Sequence, residues 1–149
     1  MINDDLKLRG DVAIVLKDKD GKVKESREIN NLVVSAGLTY ICSRMADASA
    51  GVMSHMALGS GTTAAAAGDT DLESILGSRE ALDSTTASSN TITYVSSFEA
   101  GEGTGAVTEA GIFNAATSGT MLCRTVFAVV NKQADDTMSV TWTITLTAS

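Results

Sequence analysis

Thr137-Met-Ser-Val-Thr-Trp-Thr-Ile-Thr-Leu-Thr147 decides the fold of this chain, because apolar residues alternate with Ser or Thr along its whole length. The side chains of a β-strand point alternately to its two faces, so the apolar members share one face: Met138, Val140, Trp142, Ile144 and Leu146. Such a strand is typical of an antiparallel sheet with one face on the core and the other in water. The stretch predicts a mainly β protein and carries no catalytic signature.

The rest of the chain predicts further strands, separated by turns built from Gly, Asn and Asp because Pro is absent. Residues 11–29 predict an N-terminal hairpin extension around the turn Asp18-Lys-Asp-Gly21. Residues 36–46 predict a helix with Ser35 as its N-cap, and residues 69–76 a second short helix. Strands are predicted at residues 55–58, 78–85, 91–99, 106–113 and 120–130. We expect one domain, residues 1–149, folded as an antiparallel β-sandwich of Greek-key or jelly-roll-like form with one or two short helices.

The composition limits the size of the core and the choice of partners. Three Phe, two Tyr and one Trp leave the core to aliphatic residues, so it should be thin. Burial against neighbouring subunits would add the missing apolar area, and this predicts a homo-oligomer. The net charge of −7 opposes binding to nucleic acid or to an anionic membrane. Neither a membrane span nor a secretion signal is evident, which predicts a soluble protein made in a cytoplasm.

The residue types that usually form metal and thiol sites are too few here to predict one. His55 is the sole histidine, and Cys42 and Cys123 show neither a C-x-x-C motif nor ligand spacing to it. We interpret both cysteines as small buried residues. The sequence therefore predicts no metal and no cofactor.

Two further patterns resemble catalytic or binding motifs only in part. Gly59-Ser-Gly61 suggests a phosphate loop, but it lacks both the Lys of the Walker motif and the third Gly of the dinucleotide motif. Glu99, Glu102 and Glu109 could supply acid and base carboxylates only if the fold brought two of them together. We therefore predict that the protein is not an enzyme and has no catalytic residues.

A series of short motifs follows one another along the chain in a fixed order: residues 31–37, 55–63, 71–73, Arg79, 108–115, 119–127, 131–132 and the final strand with Trp142. In this order, the series resembles small structural proteins of tailed bacteriophages. It is also distantly similar to the N-terminal, particle-attaching domain of phage tail-collar fibres. The similarity covers residues from about 30 onward, and the chain departs from the fibre pattern by its added hairpin and by the absence of a shaft.

The resemblance implies attachment to a virion more strongly than it implies binding to a host. A small phage protein that is only an attaching domain would be a capsid decoration or cement subunit that docks on the head and stabilises it. The alternative is a tail, collar or baseplate adaptor to which fibres attach. The implied partners are other virion proteins, either the major capsid protein or tail and collar proteins, and the implied location is the virion.

One segment, residues 109–115, is the candidate for the docking face. Gly111 would allow close approach of a backbone, Ile112 and Phe113 would supply apolar contacts, and Glu109 begins the segment. The alternative is that the segment is an ordinary buried strand.

Overall fold

The computed structural model describes residues 5–46 and 50–148, and within them it has nine strands and one helix. The elements in chain order are β1 Leu6–Lys17, β2 Val23–Val33, α1 Ser35–Ala46, β3 His55–Gly59, β4 Glu80–Ala81, β5 Ser84–Ser88, β6 Thr91–Phe98, β7 Gly105–Phe113, β8 Met121–Lys132 and β9 Thr137–Ala148. The mainly β prediction is confirmed.

The strands form one antiparallel sheet in the order β4-β3-β7-β8-β2-β1-β9-β6-β5. Strands β2 and β8 join through only two residue pairs, Leu32 with Arg124 and Val33 with Cys123. This short link divides the curled sheet into two halves, one with β3, β4, β7 and β8 and one with β1, β2, β5, β6 and β9. Residues of both halves pack in one hydrophobic cluster, so the core lies inside the curl.

The alternating stretch of β9 folds as predicted, between β1 and β6. Trp142 is fully buried, and its neighbours across the two ladders are Val12 of β1 and Tyr94 of β6. Residues opposite each other in a ladder lie on the same face of the sheet. The inner face is therefore mainly apolar across these three strands, with Ser96 of β6, opposite Val140, as a buried polar residue.

The predicted hairpin is confirmed and is longer than residues 11–29. Its turn has Gly21 at a φ of 81°, a conformation that favours glycine. Asp18 Oδ1 accepts hydrogen bonds from the N–H groups of Asp20 and Lys22, both at 2.9 Å. Strand β1 pairs with β2 on one side and with β9 on the other, so it is a central strand of the sheet.

Helix α1 is confirmed, but most of its apolar residues are not buried. Leu38, Cys42 and Met45 are exposed, whereas Tyr40 and Ile41 pack against the core. The helix approaches the sheet closely at Gly37, where a Cβ would lie 2.1 Å from the carbonyl oxygen of Leu122. A face of α1 is therefore open to solvent.

The predicted second helix at residues 69–76 is wrong. The segment is irregular and contains one isolated bridge, between Ile75 and Gly59. The N–H groups of Glu73 and Ser74 donate to the side chain of Glu109, which lies far away in the sequence, instead of to helix carbonyls. The strand predicted at residues 78–85 is divided, since β4 and β5 are separated by residues 82–83.

Candidate functional site

The predicted docking segment lies in β7, between β3 and β8 in the first half of the sheet. Glu109, Gly111, Ile112 and Phe113 are all buried within the subunit. Their side chains therefore form no exposed surface themselves. The surface above them is made by the loop of residues 60–79, which connects β3 to β4 and which we call the β3–β4 loop.

Glu109 fastens that loop to the sheet, because its carboxylate accepts three hydrogen bonds from the loop backbone and a fourth from Arg124 of β8. Oε1 accepts from the N–H groups of Gly61 at 2.9 Å and Ser74 at 2.8 Å. Oε2 accepts from the N–H of Glu73 at 3.0 Å and from Nε of Arg124 at 2.9 Å. Three parts of the backbone and one cation thus satisfy a carboxylate that has no contact with water.

Arg124 of β8 extends this network to the middle of the β3–β4 loop. Its Nη1 donates to Asp69 at 2.8 Å and its Nη2 to the carbonyl of Thr63 at 3.1 Å. The guanidinium is 3% exposed and lies between two carboxylates, those of Asp69 and Glu109. Such a planar, multidentate arrangement is the geometry for which Arg is suited.

The three charged side chains of the network, Asp69, Glu109 and Arg124, are stabilised in their ionised forms. Burial acts to raise the pKa of Glu109, but the hydrogen bonds from Ser74, Glu73 and Arg124 outweigh it and keep that pKa below its ordinary value. Burial likewise opposes the charge of Arg124, whereas the two carboxylates raise its pKa. The pKa of Asp69 is lowered, first by the N–H of Ala66 and then by Arg124, against the effect of burial.

In the Gly59-Ser-Gly61 motif, the N–H of Gly61 donates to an anionic group of the chain itself, the Glu109 carboxylate. A Cβ on Gly59 or on Gly61 would lie 2.5 Å from Oε1 of Glu109. Both positions must therefore be glycine for the loop to reach the carboxylate. The two glycines of the motif thus leave the space that the Glu109 carboxylate occupies.

Phe113 and Gly111 are covered by side chains of the same loop. The guanidinium of Arg79 lies 3.6 Å from the centre of the Phe113 ring and donates to the carbonyls of Ala115 and Ser118 at 3.0 and 2.6 Å. The side chain of Leu72 lies over Gly111, where a Cβ would be 3.0 Å from Cδ2 of Leu72. The segment supports the β3–β4 loop from beneath, and its part in docking stays a prediction.

A second buried charged group lies at the turn between β8 and β9. Lys132, 1% exposed, donates from Nζ to the carbonyl of Glu99 at 2.9 Å. Burial lowers its pKa, against the opposing effect of Asp136 and two glutamates. Asp136 accepts from Lys24 at 2.7 Å and from the N–H of Gln133 at 2.8 Å, and the bond from Lys24 is the main cause of its lowered pKa.

The remaining candidates for chemistry are dispersed. His55 Nδ1 lies 2.8 Å from the hydroxyl of Ser54, and within residues 5–46 and 50–148 no three His, Cys, Asp or Glu side chains are grouped as a metal site. Cys123 is buried, and burial raises the pKa of its thiol, but Cys42 is exposed, so the interpretation of both as buried is wrong for Cys42. Of the three glutamates, Glu99 and Glu102 lie together near Lys132, and the N–H of Glu99 donates to the Glu102 carboxylate at 2.8 Å. Glu109 lies apart from them, buried and paired with Arg124.

An apolar pocket of about 370 Å³ opens between α1 and the inner face of β6 and β9. Its lining comprises Tyr40, Ile41, Arg44, Val52, Met53, Thr85, Ile92, Tyr94, Leu122, Ile144 and Leu146. Burial raises the pKa of the Tyr94 hydroxyl, and the neighbouring Tyr40 and Cys123 raise it further. The pocket could not be predicted from the sequence, because its residues come from six separate segments.

Comparison of the chain with protein-family models, curated proteins and solved structures yields no match. In the described part of the chain, α1 is too short to cross a lipid bilayer.

Proposed function

We propose that this chain is a non-enzymatic structural protein of a tailed-phage virion, which docks on the head as a decoration or cement subunit. The observation that carries the proposal is that the buried charged side chains hold a surface loop in place. Glu109 and Arg124 bond within the chain and hold the long β3–β4 loop against the sheet. Groups used in this way build a rigid surface, which a docking protein needs.

The partners of this proposal are the major capsid protein and further copies of the chain. A subunit that binds only to the assembled shell adds its binding free energy to the assembled state. Many copies on one head then reinforce it. The Greek-key or jelly-roll-like sandwich is part of the same proposal, and the packing of both sheet halves on one cluster supports it.

A tail, collar or baseplate adaptor is the second candidate. It is favoured by the similarity of residues 30 onward to the attaching domain of tail-collar fibres. An adaptor would use the same rigid loop surface to hold a fibre, but it would be present in far fewer copies. The two candidates therefore differ in stoichiometry as well as in place.

The copy number per particle, measured by quantitative mass spectrometry, tests the proposal. A decoration protein would be present in on the order of hundreds of copies and an adaptor in about six to a few dozen, as their symmetries require. Particles assembled without the protein should lose their contents at a lower temperature or under osmotic shock. Particles that keep full heads but fail to bind fibres would identify the adaptor, and absence of the chain from purified particles would refute both.

A further inference from the structure

We propose that the free edge of β5 receives an extended segment of a partner protein, which pairs as an additional strand and inserts apolar side chains into the pocket beside α1. The inference concerns how a partner binds, and it holds whether or not that partner is part of a virion. Two separate observations meet at this place: an open edge of the sheet and an apolar pocket on the side of that edge.

Strand β5 is the last strand of its half of the sheet, with β6 on one side. All five of its residues are exposed, so no described part of the chain covers its other side. Along such an edge, alternate N–H and C=O groups are directed away from the sheet without strand partners. The other edge strand, β4, has only two residues.

The sequence of β5 lacks the features that usually protect an edge. Ser84-Thr-Thr-Ala-Ser88 contains no Lys, no Pro and no other charged residue, and its pairing with β6 runs through five consecutive residue pairs without a bulge. Natural edge strands are commonly blocked by these devices. Their absence makes β5 suited to pairing with another strand.

The register decides which side chains of an added strand would enter the pocket. Thr85 pairs with Tyr94 and Ala87 with Ile92, so these β5 side chains share the inner face with two residues that line the pocket. Thr86 pairs with Thr93 and lies on the opposite face. Alternate residues of an added strand, opposite Thr85 and Ala87, would therefore be directed toward the pocket.

The size and lining of the pocket identify the kind of segment that fits. A volume of about 370 Å³ next to the exposed Val52 calls for bulky aliphatic or aromatic side chains. A second copy of β5 would offer only Thr85 and Ala87 on this face, which are too small to fill it. The partner is thus a different segment that alternates bulky apolar residues with polar ones, and the chain's net charge of −7 favours polar residues that are not acidic.

The test uses the full chain and a capped probe peptide of about seven residues, the length of a short strand, that alternates Ile and Val with Gln and Thr. Calorimetric titration should detect binding. The same peptide methylated on alternate backbone nitrogens keeps the side chains but loses the strand's hydrogen bonds, so its affinity should be lower by at least about tenfold. A peptide of the same composition in shuffled order should bind as weakly.

Two matched variants place a charge on opposite faces of the same exposed strand. Thr85→Lys directs the charge toward the pocket and should weaken binding by at least about tenfold, whereas Thr86→Lys should change it by no more than about twofold. Thermal unfolding of both variants checks that the fold is intact. Equal binding of the methylated and unmodified peptides, equal effects of the two variants, or no binding at about 1 mM, the weak end of measurable affinity, would overturn the proposal. So would a dimer in sedimentation analysis that Thr85→Lys dissociates.

Discussion

Replacing Glu109 by Gln should strongly destabilise the protein. The amide keeps the shape of the carboxylate, but it replaces one of the two hydrogen-bond acceptors by a donor. One oxygen becomes an NH₂ donor, and in either orientation it faces two N–H donors, either Gly61 and Ser74 or Glu73 and Arg124. Two hydrogen bonds to a charged acceptor are lost, at about 1.5–3 kcal/mol each. The expected loss in the free energy of unfolding is about 3–5 kcal/mol, the usual result of breaking a buried ion pair.

Urea unfolding at pH 7, followed by Trp142 fluorescence, measures this loss. The matched control is Glu102→Gln, since the Glu102 carboxylate also accepts a backbone N–H, that of Glu99 at 2.8 Å, but at an exposed site. Glu102→Gln should lower the free energy of unfolding by no more than about 1 kcal/mol. Equal losses for the two variants would refute the reasoning that Glu109 holds the β3–β4 loop.

The pH dependence gives a second readout of the same variant. The pKa of Glu109 is lower in the folded state, so its contribution is present above the ordinary carboxyl pKa and is lost as the pH falls through the folded value. The difference in stability between the natural chain and Glu109→Gln should therefore be largest near neutral pH and shrink in acid. A difference that grows as the pH falls would contradict the lowered pKa.

Three other outcomes are expected. Trp142→Ala should cost about 3–5 kcal/mol, because the ring is fully buried, and native Trp142 fluorescence at the wavelength of a water-exposed indole would contradict that burial. Gly61→Ala should lower the unfolding midpoint and increase hydrogen exchange in the β3–β4 loop, because the methyl group would meet the Glu109 carboxylate; Gly68→Ala, where a Cβ meets nothing within 4 Å, is its control. In the folded protein, Cys42 should react with Ellman's reagent and Cys123 should not, and reaction of both without unfolding would refute the burial of Cys123.

The strands could be predicted from the sequence because their signals are local. The alternation along residues 137–147 and the turn before Gly21 need no knowledge of distant residues, and both appear in the structure as expected. Helix α1 is likewise confirmed, although its exposed face could not be foreseen. Which face of α1 is buried depends on how the whole sheet curls beneath the helix, and local sequence does not encode this.

The loop network could not be predicted, because its bonds join residues that are far apart in the sequence. Asp69 and Thr70 resemble helix caps locally, but the N–H groups that would begin a helix donate to Glu109 instead. One sequence signal was available: Arg124 lies within the apolar run of residues 121–127, and a charged residue in a buried strand usually has a buried partner. Which carboxylate it meets is decided only by the pairing of β7 with β8.

The place of β1 between β2 and β9 has a consequence for how the chain folds during synthesis. Leu6 pairs with Ala148 and Lys17 with Thr137, so β1 pairs with a strand that is synthesised much later. The hairpin of β1 and β2 can form once residues 6–33 are made, but this half of the sheet closes only after residues 137–148 have left the ribosome. Such distant pairing slows folding and leaves the apolar face of β1 uncovered in the meantime. Within that interval, the exposed apolar face and the unpaired edge of β1 make the nascent chain most prone to aggregation.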